Sequence, residues 1–204
     1  MIAIIDYGVG NLFSLKSSFA AIGEEAVVTD KPEVLKVAEK IILPGVGAFA
    51  DAAAKLRSSS AYSALMEEVA AGKPMLGICL GMQLLFDKSF EYGEHVGLGL
   101  IPGEVRYIGE VIPQDLKIPH IGWNALKFRN PSPLYKYIKE GDCVYFVHSF
   151  AAMHCDAYVT AEAEYGAWLT ASVSRGNVFG TQFHPEKSGT VGLNILRAFC
   201  ELGR

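Results

Sequence analysis

Cys79 stands in Gly77-Ile78-Cys79-Leu80-Gly81-Met82-Gln83, with glycine two residues before it and two after. Residues 75–78 form a short apolar run that reads as a strand, and residues 80–86 read as the start of a helix. A thiol on such a strand-to-helix turn is the nucleophile-elbow pattern with sulfur in place of oxygen. The turn forces unusual backbone angles and presses strand against helix, so side chains at 77 and 81 would collide. A helix N-terminus also favours the thiolate, the reactive form of cysteine. A free cysteine in an apolar segment is otherwise usually buried and inert. The two flanking glycines tip the reading toward a nucleophile.

Such a nucleophile needs a base, an orienting group and oxyanion donors. Of His95, His120, His148, His154 and His184, the last is best placed, directly after an apolar run in Phe183-His184-Pro185-Glu186. Glu186 can hold the imidazole and stabilise its protonated form, as the acid does in serine triads. On spacing alone the pair reads equally as an ordinary surface pair at a strand end. The backbone N–H of Leu80 is one expected oxyanion donor. A second is expected from Pro44-Gly45-Val46-Gly47, because glycine lets backbone approach a ligand; without Cys79 this loop would read as a tight turn. Gln83 lies one helical turn beyond Cys79, where its amide can bind a substrate near the sulfur. His148 sits in an apolar run and reads as a core histidine. Cys143, His148, His154 and Cys155 lack the close ligand pairs of a zinc site. Neither a metal nor a cofactor is expected.

These groups need a rigid scaffold. Residues 2–6, 26–29, 41–43 and 75–78 read as buried strands, separated by helical patterns at 12–22, 32–38, 48–57 and 61–71. That alternation predicts a parallel sheet covered on both faces. Gly8-Val9-Gly10 follows the first strand, but Phe13 stands where a dinucleotide-binding loop needs its third glycine. In the second half the segments shorten. Strand-like pieces fall at 104–108, 121–128, 143–150 and 157–163. A hairpin is expected from 168–174 and 178–183 around Arg175-Gly176-Asn177, and a closing helix at 193–202. The expected fold is α/β: an open, mostly parallel sheet with helices on both faces and an antiparallel extension in the C-terminal half. One domain over residues 1–204 is expected.

The formal net charge of −4 gives no electrostatic footprint for nucleic acid. No apolar run is long enough to span a membrane, and the first residues carry no basic stretch of a signal sequence. Cys79, Cys143, Cys155 and Cys200 show no disulfide-type spacing. A cytoplasmic protein with reduced cysteines is expected.

Taken in order, Pro44-Gly45-Val46-Gly47, Gly77-Ile78-Cys79-Leu80-Gly81-Met82-Gln83 and Gln182-Phe183-His184-Pro185-Glu186 resemble the oxyanion, nucleophile and base motifs of the class I (triad-type) glutamine amidotransferases. Further segments, among them Tyr7-Gly8-Val9-Gly10-Asn11 and His120-Ile121-Gly122-Trp123-Asn124, are similar to a subfamily of glutaminase subunits that serve histidine biosynthesis. The resemblance covers essentially the whole chain. It implies Cys79, His184 and Glu186 as the triad, with Gln83 and the backbone around Gly47, Ser149 and Phe150 holding glutamine. It also implies a (β/α)₈-barrel cyclase subunit as partner in a heterodimer, reached by ammonia through an internal tunnel. Ammonia released into neutral water would be protonated and lost as a nucleophile, so the two sites must be joined. The glutaminase motifs use the full length, so the synthase half is expected on another polypeptide.

Asn11, Trp123, Asn124 and Lys187 are candidates for the partner face, although Trp123 reads nearly as well as a core residue. Phe150 stands where the family usually has tyrosine, and Ile121 where methionine is common. A glutaminase serving a guanylate, anthranilate or pyridoxal phosphate synthase is the neighbouring alternative, and a non-catalytic scaffold of the same fold is another.

Overall fold

In the computed structural model, which describes residues 1–203, the chain begins with strands and helices in alternation. In order these are β1 (Ile2–Ile5), α1 (Leu12–Ala21), β2 (Ala26–Thr29), α2 (Pro32–Val37), β3 (Lys40–Leu43), α3 (Phe49–Ser58), α4 (Tyr62–Ala70), β4 (Met75–Ile78) and α5 (Leu80–Leu84). Shorter strands follow: β5 (Phe86–Ser89), β6 (His95–Val96), β7 (Ile101–Tyr107), β8 (His120–Ala125), β9 (Lys127–Phe128), β10 (Cys143–His148) and β11 (Phe150–Met153). The chain closes with β12 (Val159–Glu164), β13 (Trp168–Arg175), β14 (Val178–Thr181) and α6 (Gly189–Cys200).

The main sheet has the order β2-β1-β3-β4-β14-β13-β12-β9. Neighbours from β2 to β14 pair in parallel, and from β14 to β9 they pair antiparallel. Side chains alternate faces along a strand. Ala3 and Ile5 therefore join the core that holds Leu35, Phe49, Leu56 and Leu65 of α2, α3 and α4. Ile2 and Ile4 join the opposite core with Leu15 and Phe19 of α1 and Ile195, Leu196 and Phe199 of α6. Every residue of β1, β4 and β14 is buried, as a sheet covered on both faces requires.

Four segments differ from the pattern expected. Residues 121–128 are not one strand. Leu126 is buried and exchanges backbone hydrogen bonds with the 141–142 turn, its N–H to Asp142 and its carbonyl from Gly141. This splits β8, which pairs with β10 in a two-stranded ribbon, from β9, which edges the main sheet. Residues 143–150 break at Ser149, whose carbonyl accepts from Ile108, so β11 leaves β10 and pairs with β7. The helix after Cys79 stops at Leu84 rather than running on to 86. Carbonyls of Leu84 and Leu85 accept from Leu98, Leu100 and Ile101 instead of continuing a helix, and Phe86 opens β5. The resulting four-stranded sheet, β11-β7-β5-β6, lies outside the expected architecture. The closing helix also starts earlier, at Gly189.

Both elbow glycines are required by close approach. A Cβ on Gly77 would lie 2.6 Å from the Gly81 carbonyl oxygen and 2.9 Å from Met82 Cα. One on Gly81 would fall on the Leu43 carbonyl of β3. Because the obstacles are backbone atoms, Gly81→Ala is expected to cost about 3 kcal/mol. Urea denaturation checks this, and a midpoint within error of wild type would refute it. Among the described residues no helix is long and apolar enough to cross a membrane.

Candidate active site

Parallel pairing sets Ile78 of β4 opposite Thr181 of β14, so the residues that follow both strands leave the same edge of the sheet side by side. Cys79 turns sharply there, with φ 55° and ψ −113°. This left-handed backbone is unfavourable for a residue with a Cβ. It is held by the Cys79 N–H donating to the Thr181 carbonyl at 2.7 Å and the Cys79 carbonyl accepting from Gln83 N–H at 3.1 Å.

His184 and Cys79 line one cleft, close enough that each feels the other electrostatically. The His184 Nδ1 lies 2.8 Å from Glu186 Oε1, and both side chains are almost wholly buried. Burial pushes the imidazole pKa down, but interactions with Cys79 and Glu186 outweigh this and raise it to about 9. His184 therefore holds its proton at neutral pH. Helix α5 is only five residues long, little more than one turn. His184 is the cationic group that stands beside the sulfur.

A cleft of about 450 Å³ opens onto the sulfur. Its lining includes Val46, Gly47, Cys79, Leu80, Gln83, Ser149, Phe150 and His184, which brings most of the residues singled out in the sequence together. Gly45 lies behind the wall and has no room for a side chain: a Cβ there would stand 2.8 Å from Gly81 N and 2.9 Å from Tyr7 Oη. Tyr7 donates to the Pro44 carbonyl at 2.6 Å, fixing the start of the loop. Its pKa is raised far above the usual phenol value by burial first and the nearby Cys79 second. Val46 and Gly47 are exposed at the cleft edge, Gly47 with φ 93°. Leu80 opens α5, so its N–H has no partner within the helix. The Gln83 amide does not point to solvent. Its Nε2 donates to the Phe150 carbonyl and to Gln182 Oε1, both at 3.0 Å, and Gln182 Nε2 reaches Cys79 Sγ at 3.8 Å.

Sequence reasoning passed over Glu91, Tyr92 and Gln182 as site residues and read His148 as core. His148 is buried, yet it lines the cleft, as do Glu91 and Tyr92. Glu91 accepts from the Phe49 N–H at the start of α3 through one oxygen at 2.6 Å. Only its position after the unpredicted strand β5 brings it here. Gln182 carried a signal, since it directly precedes the base motif.

The partner-face candidates stand at the start of α1, on β8 and three residues after His184. Trp123 is 55% exposed, which excludes a core role, and it packs edge-on against Tyr145. Lys187 Nζ lies 5.9 Å from the centre of the same ring. Asn11 instead caps α1, its side chain accepting from Ser14 N–H. Asn124 follows Trp123 on β8 and so points to the opposite face, where Oδ1 meets His120 Nε2 at 2.7 Å.

A buried carboxylate and imidazole thus stand beside a thiol on a strained strand-to-helix turn, next to a glycine-rich loop, at one edge of an α/β sheet. Residues 3–201 match the family model "Glutamine amidotransferase class-I". Solved structures share the fold: a glutamine amidotransferase (TM-score 0.76, 20% identity, 98% of each chain) and PurLQS from Thermotoga maritima (TM-score 0.75, 21% identity, 98% and 96%). Two relatives are each called "Imidazole glycerol phosphate synthase subunit HisH". That of Syntrophotalea carbinolica is 48% identical over 99% of this chain and 100% of its own. That of Moorella thermoacetica is 47% identical over 100% and 95%. The chain belongs to the HisH family within the class-I glutamine amidotransferases.

Proposed function

We propose that the chain cleaves the side-chain amide of glutamine at Cys79 and delivers the ammonia to a (β/α)₈-barrel cyclase in a heterodimer. The chain is a glutamine amidotransferase, the glutaminase subunit of imidazole glycerol phosphate synthase in histidine biosynthesis. The observation that carries the mechanism is that His184 lines the cleft together with Cys79 while its Nδ1 is held by Glu186.

In this reading the Cys79 sulfur attacks the amide carbon, forming a C–S bond and an oxyanion. The Leu80 N–H and the Val46–Gly47 backbone face the developing negative charge. His184 gives its proton to the amide nitrogen, the C–N bond breaks, and ammonia leaves from a cysteine thioester. His184, now neutral, takes a proton from water as that water attacks the thioester. Glutamate and the starting Cys79–His184 pair result. Glu186 keeps the ring aligned and favours its protonated form. Glu91 suits the α-ammonium of glutamine, since its carboxylate lines the same cleft. Ammonia must stay unprotonated and therefore travels inside the complex to the cyclase. There it completes imidazole glycerol phosphate and aminoimidazole carboxamide ribonucleotide. Trp123 and Lys187, beside the cleft over Tyr145, suit the partner face. The cytoplasm, where thiols stay reduced, suits this chemistry.

Glutamate release tests the reading, measured with and without the cyclase and its nucleotide ligand. We expect little turnover alone and a rise of at least about 100-fold with both, equivalent to about 2.7 kcal/mol of coupling. Turnover indifferent to the cyclase but stimulated by a guanylate, anthranilate or pyridoxal phosphate synthase would reassign the partner. Failure of a glutamine analogue to label Cys79 under all conditions would mark a scaffold.

A further inference from the structure

A line of polar contacts runs from the cleft to the far side of the β8–β10 ribbon. The Phe150 carbonyl, which accepts from Gln83, faces His148 Nδ1 at 2.8 Å. The strand register sets His148 opposite His120, and His148 Nε2 meets His120 Nδ1 at 3.0 Å. His120 Nε2 then meets Asn124 Oδ1 at 2.7 Å. The amide of Asn124 is oriented by its Nδ2, which donates to the Glu164 carbonyl at 2.9 Å. Both ends of the imidazole pair therefore face acceptors.

Three contacts need three protons, and two neutral imidazoles bring two. A third proton would make the pair a buried cation. Burial opposes that at both rings and holds His148 down at about 4, and the positive charges acting on His148, from His120 and His184, oppose it further. Stacking of His120 between Phe146 and Tyr165 adds no anion.

With two protons, two arrangements keep the hydrogen bond between the rings. In one, both Nε2 atoms are protonated: His120 donates to Asn124, His148 donates to His120, and a His148 lone pair opposes the Phe150 carbonyl. In the other, both Nδ1 atoms are protonated: His120 donates to His148, His148 donates to Phe150, and the Asn124 amide must turn to offer its NH₂ to His120. We propose that Asn124, His120 and His148 are positioning residues for the cleft. The orientation of the Asn124 amide selects the tautomer of the pair, and the tautomer sets whether the Phe150 carbonyl, and with it Gln83, is held.

Interconversion moves no net charge. His148 Nδ1 takes a proton from water in the cleft it lines, and the shared proton passes from His148 Nε2 to His120 Nδ1. His120 Nε2 then gives its proton to water on the Asn124 side. Asn124 lines a surface cleft of about 390 Å³ with Lys127, Glu140 and Trp168, so its amide has space to turn.

The inference rests on the cleft being a glutamine site, and the test separates the two. Two-bond ¹H–¹⁵N spectra of the histidines report each tautomer in the complex with saturating cyclase, beside steady-state glutamine kinetics. Asn124→Leu and the smaller Asn124→Ala remove the outer acceptor. In both we expect His120 and His148 to move together to the Nδ1–H form. The KM for glutamine should fall about 3- to 10-fold, the worth of one hydrogen bond, with kcat changing less. His148 signals indifferent to Asn124, or a tautomer change with KM unmoved, would overturn the relay. A wild-type complex that turns over no glutamine would instead overturn the reading of the cleft and leave the coupled tautomers to be judged from the spectra.

Discussion

Cys79→Ala should abolish glutamine hydrolysis by the complex, lowering glutamate release by about 10⁴-fold or more while the complex still assembles. The size follows from the chemistry. No other side chain in the cleft can form the thioester, and the rest of the site then only binds glutamine. Free Cys143 is exposed on another part of the chain and cannot substitute. The variant should still fold, since the elbow is held by backbone bonds from Cys79 to Thr181 and Gln83 that alanine also makes. Glutamate release and size-exclusion chromatography with the cyclase check both halves. Residual turnover above about one per cent of wild type would show that the nucleophile lies elsewhere.

His184→Asn should lower kcat by about 10³-fold, within the range for loss of a general acid–base that also orients the nucleophile. Its pH dependence is more diagnostic. The folded pKa of about 9 stands above the ordinary histidine value of 6.5. The form that protonates the leaving nitrogen dominates below about 9, so wild-type turnover should fall tenfold per pH unit above it. Stability follows the same sign. The Cys79–His184–Glu186 interaction contributes fully below about 6.5 and is lost as pH rises through about 9. Urea midpoints of wild type should therefore drop more between pH 7 and pH 10 than those of His184→Asn. Equal drops in the two proteins would mean that His184 carries no raised pKa.

The parallel half of the sheet was legible because each buried strand is a continuous apolar run closed by a turn signal. Gly77 and Gly81 were legible for a related reason: only a tight strand-to-helix junction demands glycine at both positions. The second half was harder to read. Residues 121–128 look like one strand, but Leu126 gives its backbone to the 141–142 turn and sends the two halves to different sheets. That long-range pairing leaves no local periodicity. Glu91 escaped notice for the same reason, since it follows a strand that exists through its pairing with β7 and β6.

By itself the sequence determined the chemical identities: a cysteine on an elbow, a histidine with a carboxylate two residues on, a glycine-rich loop and an amide one turn away. It could not decide whether those groups meet. Tertiary structure decided that, by pairing β14 beside β4 in parallel so that Cys79 and His184 leave one sheet edge together. It also turned Asn124 inward onto His120 while leaving Trp123 outside. The physical reason is the same in both cases. Residue type sets what a side chain can donate, accept or attack, but register and sheet order, which are non-local, set what stands opposite it.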